Sequence, residues 1–331
     1  MNAQRRATAG IALVAALLVA APNAGAGPGI VDEEVEGNVL TARVRILGLD
    51  LADLRIEFEE VEGLEPGALG LSAELLDLWD LIALVLRLPD RLLTAIPGEL
   101  PLLLKLDPEP GVSFRGTARI SLRTELLPYV PGTRLRIFHA EGLGRFEDVT
   151  ADNSEGSYRG GAMRPDLGTS SYVVASDMRS DQTVADGKLD RLDDLIDSHA
   201  GVMAPGLRVA LENRAAEVRA AFESGAYGNA VAALDGLSNA VVAASGAGIP
   251  DRWEADGSAA NAAGELRSQA ATLRFSLLQL GGGSSALSAG GGQGNPGGSG
   301  IQGLGGGQGN GLGQGNRLGQ GNGGAGGGGG G

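Results

Sequence analysis

Hydrophobic residues recur at two different periods along this chain. In residues 29–62 they occupy every second position, as at Ala42, Val44 and Ile46, with charged residues between them. This period predicts half-buried β-strands, and the stretch from Gly48 to Asp53 is predicted to form a turn between two of them. Further strand-like stretches occupy residues 102–106, 118–122, 135–139, 146–150 and 171–176.

Turns rich in Pro, Gly, Asn and Asp separate these stretches. Many short strands at close spacing are typical of an antiparallel sandwich. We therefore predict a β-sandwich-like domain over residues 27–180.

One stretch of this domain, residues 71–106, is far more apolar than the rest. Prolines divide it into pieces too short to cross a membrane. Its first part, residues 73–87, is predicted to be a short amphipathic helix. We expect this helix to cover the core, and an exposed docking helix is the alternative.

The period changes to three and four after Arg179. Leucines such as Leu189, Leu192, Leu234 and Leu273 mark four amphipathic stretches separated by glycine-containing turns. This pattern predicts a small antiparallel helical bundle over residues 181–280. The fold class expected for the whole chain is therefore α+β, with an N-terminal β domain followed by helices.

Residues 281–331 have a different composition. Glycine supplies 28 of these 51 positions, and the sequence GQGN occurs four times. Such a segment contains too little apolar surface to offset the entropy of ordering its backbone. We therefore expect residues 281–331 to form a disordered Gly-rich tail. This tail would act as a reaching or adhesive segment, or it would have no function of its own.

The N-terminus has the layout of a secretory signal peptide. Arg5 and Arg6 precede an apolar run from Ala9 to Ala21, and the small residues at 24–26 fit a cleavage site after Ala26. The run is shorter than the ~20 residues that span a bilayer. We therefore expect residues 1–26 to be removed on export to the periplasm or the cell exterior, and no transmembrane segment in the mature chain.

Composition narrows the function classes. The chain contains no cysteine, which excludes disulfides, thiol catalysis and cysteine-ligated zinc. Its net charge is −14, and the loss of Arg5 and Arg6 with the signal peptide makes it −16. A balance this acidic argues against nucleic acid and equally against anionic membrane surfaces as partners.

Few residues offer recognisable chemistry. The two histidines, His139 and His199, lie in different predicted domains, so a shared metal site is not expected. The GxSxG motif of serine hydrolases does not occur. A pair of carboxylates could still hydrolyse glycosides, but the 40 acidic residues offer too many pairs for one to be chosen. No catalytic or cofactor-binding residue is therefore predicted.

Calcium is the one cofactor that the sequence leaves open. The loop of residues 148–155 carries the oxygen-rich side chains Asp148, Asp152, Asn153 and Glu155. Their spacing does not fit an EF-hand, and turn formation also explains them. The aspartates at 190, 193, 194 and 197 share one helix face, where calcium or solvent would relieve their mutual repulsion.

Two segments of the chain resemble an uncharacterised family of secreted proteobacterial proteins. They are residues 129–161 (YVPGTRLRIFHAEGLGRFEDVTADNSEGSYRGG) and 170–180 (SSYVVASDMRS), and the likeness continues at 230–237, 246–253 and 261–278. The resemblance covers most of residues 29–280 and implies a β-rich half followed by Ala-rich helices.

The helical half also resembles the FIMAH-type modules of secreted bacterial proteins, through the step from Gly225 to Leu237. Neither resemblance implies a catalytic activity or site residues.

These observations together predict an exported, non-enzymatic protein with a binding or structural role. Its partner would be an envelope or extracellular protein or a polysaccharide, for which Trp79, Trp253 and Tyr172 are the candidate aromatic contacts, with Trp253 also expected to pack between helices. The alternative is a secreted hydrolase that uses two carboxylates on envelope polymers. A cleft with clustered acids or a shifted histidine would favour the hydrolase, and an exposed apolar patch would favour the binding protein.

Overall fold

A computed structural model describes residues 29–129, 132–154 and 156–282 of the chain. These residues form two antiparallel sheets and five helices. The predicted signal peptide and nearly all of the predicted tail lie outside the described residues. The α+β class predicted from the sequence is confirmed.

The first sheet (sheet A) has the strand order β1-β2-β3-β7-β11-β10, and β13 pairs with β7 beside this path. Its strands are β1 (Ile30–Glu36), β2 (Val39–Ile46), β3 (Leu49–Glu62), β7 (Ser113–Tyr129), β10 (Thr150–Ser154), β11 (Gly156–Arg164) and β13 (Arg252–Glu254).

The second sheet (sheet B) has the order β4-β6-β12-β8-β9, and β5 pairs with β12. Its strands are β4 (Ser72–Leu75), β5 (Thr94–Ala95), β6 (Leu102–Leu106), β8 (Leu135–Glu141), β9 (Glu147–Asp148) and β12 (Ser170–Asp177).

Both sheets contribute side chains to one hydrophobic core. Alternating residues of sheet A, such as Val44 and Ile56, are buried together with Leu104 and Val174 of sheet B. The alternation follows from the strand geometry, because successive side chains point to opposite faces. The strand pattern of residues 39–62 therefore predicted the buried face of this sheet.

The helix α1 (Leu78–Val85) covers the other face of sheet B, where it shares a second core with Phe138, Phe146 and Val173. Four longer helices follow, α2 (Asp181–Ser198), α3 (Pro205–Glu223), α4 (Tyr227–Ala244) and α5 (Ala262–Leu280), and they enclose a third core. They lie where the leucine spacing predicts helices, and α5 also contacts β7, β10 and β11 of sheet A.

The division of the chain into domains at 27–180 and 181–280 stays a prediction. None of the described helices is both long enough and apolar enough to cross a membrane.

Several local predictions were wrong. The turn expected from Gly48 to Asp53 is only Leu47–Gly48, and β3 already begins at Leu49. The helix predicted over 73–87 starts at Leu78, because Asp77 caps it and the preceding residues form β4. The strand predicted over 146–150 is divided between β9 of sheet B and β10 of sheet A.

The short β5 of sheet B was not predicted, and neither were two strands of sheet A. One is β11, whose consecutive glycines hide the strand pattern. The other is β13, which carries Trp253. Trp253 was expected between helices, but it packs on Phe114 of sheet A with the ring centroids 5.1 Å apart.

Candidate functional site: the exposed apolar surface of helix α1

Helix α1 begins at a well-formed cap. The Asp77 carboxylate accepts hydrogen bonds from the backbone amides of Trp79 and Asp80, at 2.7 and 2.8 Å, and the Asp80 carboxylate accepts from the Asp77 amide. This reciprocal capping satisfies amides that have no partner within the helix. The cap fixes which side chains of the next two turns face sheet B.

The inner side of α1 anchors the helix to sheet B. Leu84 and the following Leu88 are buried, and Leu81 and Val85 are partly buried against the same cluster. These positions are three or four residues apart and so lie on one face of the helix.

The outer side of α1 is also apolar. Leu78, Ile82 and Leu86, spaced at four residues, are exposed, and Trp79 is 76% exposed. A surface helix normally carries polar residues on its solvent side, and a helix that is apolar all round is normally buried. The outer side of α1 therefore has the character of an interface rather than of a solvated surface.

Two loops extend this apolar region. Leu92 follows the helix and is 94% exposed, and Leu143 lies in the loop after β8 and is 93% exposed. The Arg87 guanidinium ties the two parts together, because it donates to the carbonyls of Gly142 and Gly144, both at 2.8 Å. We call the following residues the α1 surface: Leu78, Trp79, Ile82, Leu86, Leu92, Leu93 and Leu143.

A groove of about 720 Å³ runs along the end of this surface. Leu86 and Leu92 line it together with Asp90 and three arginines, Arg87, Arg91 and Arg145. Arg87 also lies over the Phe146 ring, with its guanidinium carbon 4.7 Å from the ring centroid. Burial lowers the pKa of Arg87 from its ordinary, strongly basic value.

The two histidines, His139 and His199, have different surroundings. His139 lies between the sheets and stacks on Tyr172, with the ring centroids 4.8 Å apart. Burial, with a smaller contribution from the positive Arg164, lowers the pKa of His139 to about 2. His199 caps α2, and its Nε2 atom lies 3.0 Å from a carboxylate oxygen of Glu265.

The four candidate calcium ligands are placed in different surroundings. The Asp148 carboxylate is buried and accepts a hydrogen bond from the Lys188 ammonium at 2.7 Å. Asp152 pairs with Arg119, and the Asn153 amide lies 3.4 Å from the Leu135 carbonyl, to which it donates.

Glu155, the fourth candidate, lies outside the described residues. Within the part of the chain that the structure describes, no three His, Asp or Glu side chains come together in a group able to hold a metal. The calcium site stays a prediction.

The acidic face of α2 has a basic neighbour. Arg219 of α3 lies 2.8 Å from a carboxylate oxygen of Asp190 and 2.7 Å from one of Asp193. The charge of Arg219 relieves the repulsion between these aspartates, as calcium or solvent was expected to do.

The outer face of sheet A is polar and carries a shallow depression of about 570 Å³. Most of its charges are paired. Arg43, for example, lies 3.3 Å from Asp32 and 3.8 Å from Asp53. Paired charges of this kind are typical of a solvated sheet face.

The three candidate aromatic contacts differ in accessibility. Tyr172 and Trp253 are buried in the core between the sheets, and Trp79 is exposed. The α1 surface is therefore the candidate site, because it is apolar and carries the exposed Trp79. Of the residues at this site only Trp79 was predicted from the sequence. Leu92, Leu143 and Arg87 were not, because their role depends on a contact between segments far apart in the chain.

The comparisons with known proteins concern the family rather than this site. No curated protein and no solved structure matches the chain. The model of a family of unknown function, DUF6689, matches residues 14–281, which is most of the chain. The chain belongs to this family of unknown function, DUF6689.

Proposed function

We propose that this protein is an exported, non-enzymatic binding protein of the cell envelope or cell exterior, and that it docks through the α1 surface. One observation carries the proposal: seven large apolar side chains are exposed on α1 and its two neighbouring loops. Single exposed apolar residues are normal on protein surfaces, whereas a contiguous cluster marks an interaction site.

The energy available at this surface supports a docking role. Trp79 alone exposes on the order of 150 Å². Burial of one exposed leucine or tryptophan contributes about 1.5–3 kcal/mol. A few such side chains therefore supply enough free energy to offset the loss of translational and rotational freedom on binding.

Export is supported by the sequence alone. The positive head, the apolar run and the small residues before position 27 form the expected signal peptide. We further propose that the helical residues 181–280, with their likeness to FIMAH-type modules, act as a spacer or docking unit behind the β region.

The two most deeply buried aspartates do not favour the hydrolase alternative. The most deeply buried aspartates, Asp148 and Asp177, each lie 2.7 Å from a cationic group, Lys188 and Arg179 respectively. A general acid needs a raised pKa, but the pKa of Asp148 is held below its ordinary value: burial opposes its ionisation, and the attraction of Lys188 outweighs that effect.

A retention experiment tests the proposal. The predicted mature chain, residues 27–331, is mixed with washed cells, isolated envelopes, peptidoglycan and polysaccharides. The test variant is Leu92→Asp with Leu143→Asp, and its matched control is Val202→Asp with Val209→Asp. All four residues are exposed, and both double variants add two negative charges.

We expect one fraction to retain the wild type and the control but to lose the test variant. Equal retention of both double variants would refute docking through the α1 surface. Turnover of a polymer by the wild type would refute the non-enzymatic role.

A further inference from the structure

We propose that the α1 surface docks onto a phospholipid bilayer, with its apolar side chains at the level of the first acyl carbons. This inference rests on the proposed function and names the partner. In this arrangement α1 lies in the plane of the membrane interface, and Arg87, Arg91 and Arg145 face the lipid phosphates.

The exposure of the loop residues favours a lipid partner. Leu92 and Leu143 are more than nine-tenths exposed, so almost nothing of their own chain touches them. They lie in two separate loops: Leu143 lies between the two glycines whose carbonyls accept from Arg87, and Leu92 lines the groove beside Arg87. A fluid acyl layer closes around protruding side chains, whereas a protein partner would need a matching pocket for each loop.

The size of α1 fits an interfacial position. Its eight residues span about 12 Å, far less than the hydrocarbon core of a bilayer. Helices that lie in the interface bury an apolar face only ~5–10 Å deep. Tryptophan is enriched at that depth, because its ring is apolar while its N–H remains hydrated.

The charges around the surface complement a lipid headgroup. Arg87, Arg91 and Arg145 line the groove beside Leu86 and Leu92. The hydrogen bonds of Arg87 and Arg145 within the described residues go to backbone carbonyls, and none of the three arginines has an ion pair there with a described carboxylate. Their positive charges are thus left to attract phosphate groups.

The negative charges near the surface set a limit on this attraction. Asp77 and Asp80 lie at the first turn of α1, at the end away from the arginines. Asp90 lines the groove together with the three arginines, and the whole chain carries −14. Strongly anionic bilayers therefore repel the protein as a whole. We expect the apolar side chains to dominate binding, with weak dependence on salt and a preference for membranes that contain a minority of anionic lipid.

Trp79 provides the test, because the other tryptophan, Trp253, is buried against Phe114. The chain of residues 27–331 is used, since the apolar run of the signal peptide would itself bind lipid. Vesicles of phosphatidylethanolamine with a minority of phosphatidylglycerol are added, and tryptophan emission and co-sedimentation are measured. The same vesicles with brominated acyl chains report whether the indole reaches the apolar layer.

We expect a blue shift of the emission, quenching by the brominated lipid and co-sedimentation with the vesicles. Trp79→Phe should abolish the blue shift. The variant Leu92→Asp with Leu143→Asp should partition at least about ten-fold more weakly, whereas Val202→Asp with Val209→Asp should partition like the wild type.

Two results would overturn the inference while leaving the proposed function intact. The first is retention on envelopes that depends on Leu92 and Leu143, without any blue shift or sedimentation with vesicles. This result would indicate a protein or polysaccharide partner. The second is a dimer in sedimentation analysis that the Leu92→Asp, Leu143→Asp variant dissociates, which would assign the surface to a second copy of this chain. Envelope retention unaffected by that variant would refute both proposals.

Discussion

Replacement of Lys188 by methionine should strongly destabilise the protein. The Lys188 ammonium of α2 donates to a carboxylate oxygen of Asp148 at 2.7 Å, to the hydroxyl of Ser276 at 3.0 Å and to the carbonyl of Thr272 at 3.3 Å. These partners belong to β9 and α5, so one side chain joins three elements. Both charged side chains are at least nine-tenths buried.

The size of the stability loss follows from the Asp148 charge that remains buried. Methionine fills a similar volume, but it leaves the Asp148 carboxylate buried with the backbone amide of Thr150, at 3.0 Å, as its remaining donor. Removal of one partner of a buried ion pair costs about 3–5 kcal/mol. For a protein of this size the midpoint of thermal unfolding should fall by roughly 6–20 °C.

Urea unfolding followed by circular dichroism measures this loss, and pH gives an independent check. Lys188 holds the pKa of Asp148 below 3.8, so the stability it contributes is present above that pH and is lost as the pH falls through the lowered pKa. In Lys188→Met the buried carboxylate has a raised pKa instead. The difference between wild type and variant should therefore shrink in acid.

The double variant Lys188→Met, Asp148→Asn removes both charges and should recover most of the loss, because no unpaired charge remains buried. A cost below about 1 kcal/mol for Lys188→Met, or a loss that does not shrink in acid, would refute the reasoning.

Three further predictions concern the anchoring of the folded unit. Leu84→Ala, on the inner side of α1, should lower the free energy of unfolding in urea by about 2–5 kcal/mol, whereas Leu92→Ala should change it by less than ~0.5 kcal/mol. Equal losses for the two variants would contradict the assigned orientation of α1. Asn261→Ala should lower the free energy of unfolding by about 2–4 kcal/mol, because the Asn261 side chain caps α5 and also donates to two buried carbonyls. An unchanged urea midpoint would show that these bonds contribute little. Because its pKa is about 2, the His139 imidazole should be neutral at pH 4, which ¹⁵N NMR can measure. It should also lower the free energy of unfolding by about 1.4 kcal/mol for each pH unit below 6.5, since only the unfolded chain then binds the proton. His139→Phe should remove that slope, and an imidazolium signal at pH 4 would contradict the burial.

The strands of sheet A show how far the sequence alone can be interpreted. The alternation over 39–62 predicted the buried residues of β2 and β3, because one face of each strand meets the core and the other meets solvent. The same reasoning missed β11. Gly160 lies in that strand because the Tyr158 hydroxyl occupies the space that a side chain would need, and this requirement comes from the packing between the sheets.

The candidate site was only partly predictable. The pattern of residues 71–106 predicted an unusually apolar helix, and Trp79 was a candidate contact within it. The pattern fitted both a helix that covers the core and a helix that docks onto a partner. In the structure Leu84 of α1 is buried against sheet B, whereas Leu78 and Ile82 are exposed, so the helix covers the core and also has an exposed apolar side. Leu143 joined the site only because Arg87 binds the backbone of a loop more than fifty residues away.

The local hydrophobic period was enough to predict the strands β2 and β3, the helices α2 to α5, and the α+β class. Composition alone gave the acidic charge and excluded cysteine chemistry. The packing of distant segments was needed to show which apolar side chains remain exposed, that Trp253 completes the core of sheet A, and that Lys188 lies against Asp148. The physical reason is that periodicity reports the environment of one element, whereas pairing between distant segments depends on the shape and charge of both partners.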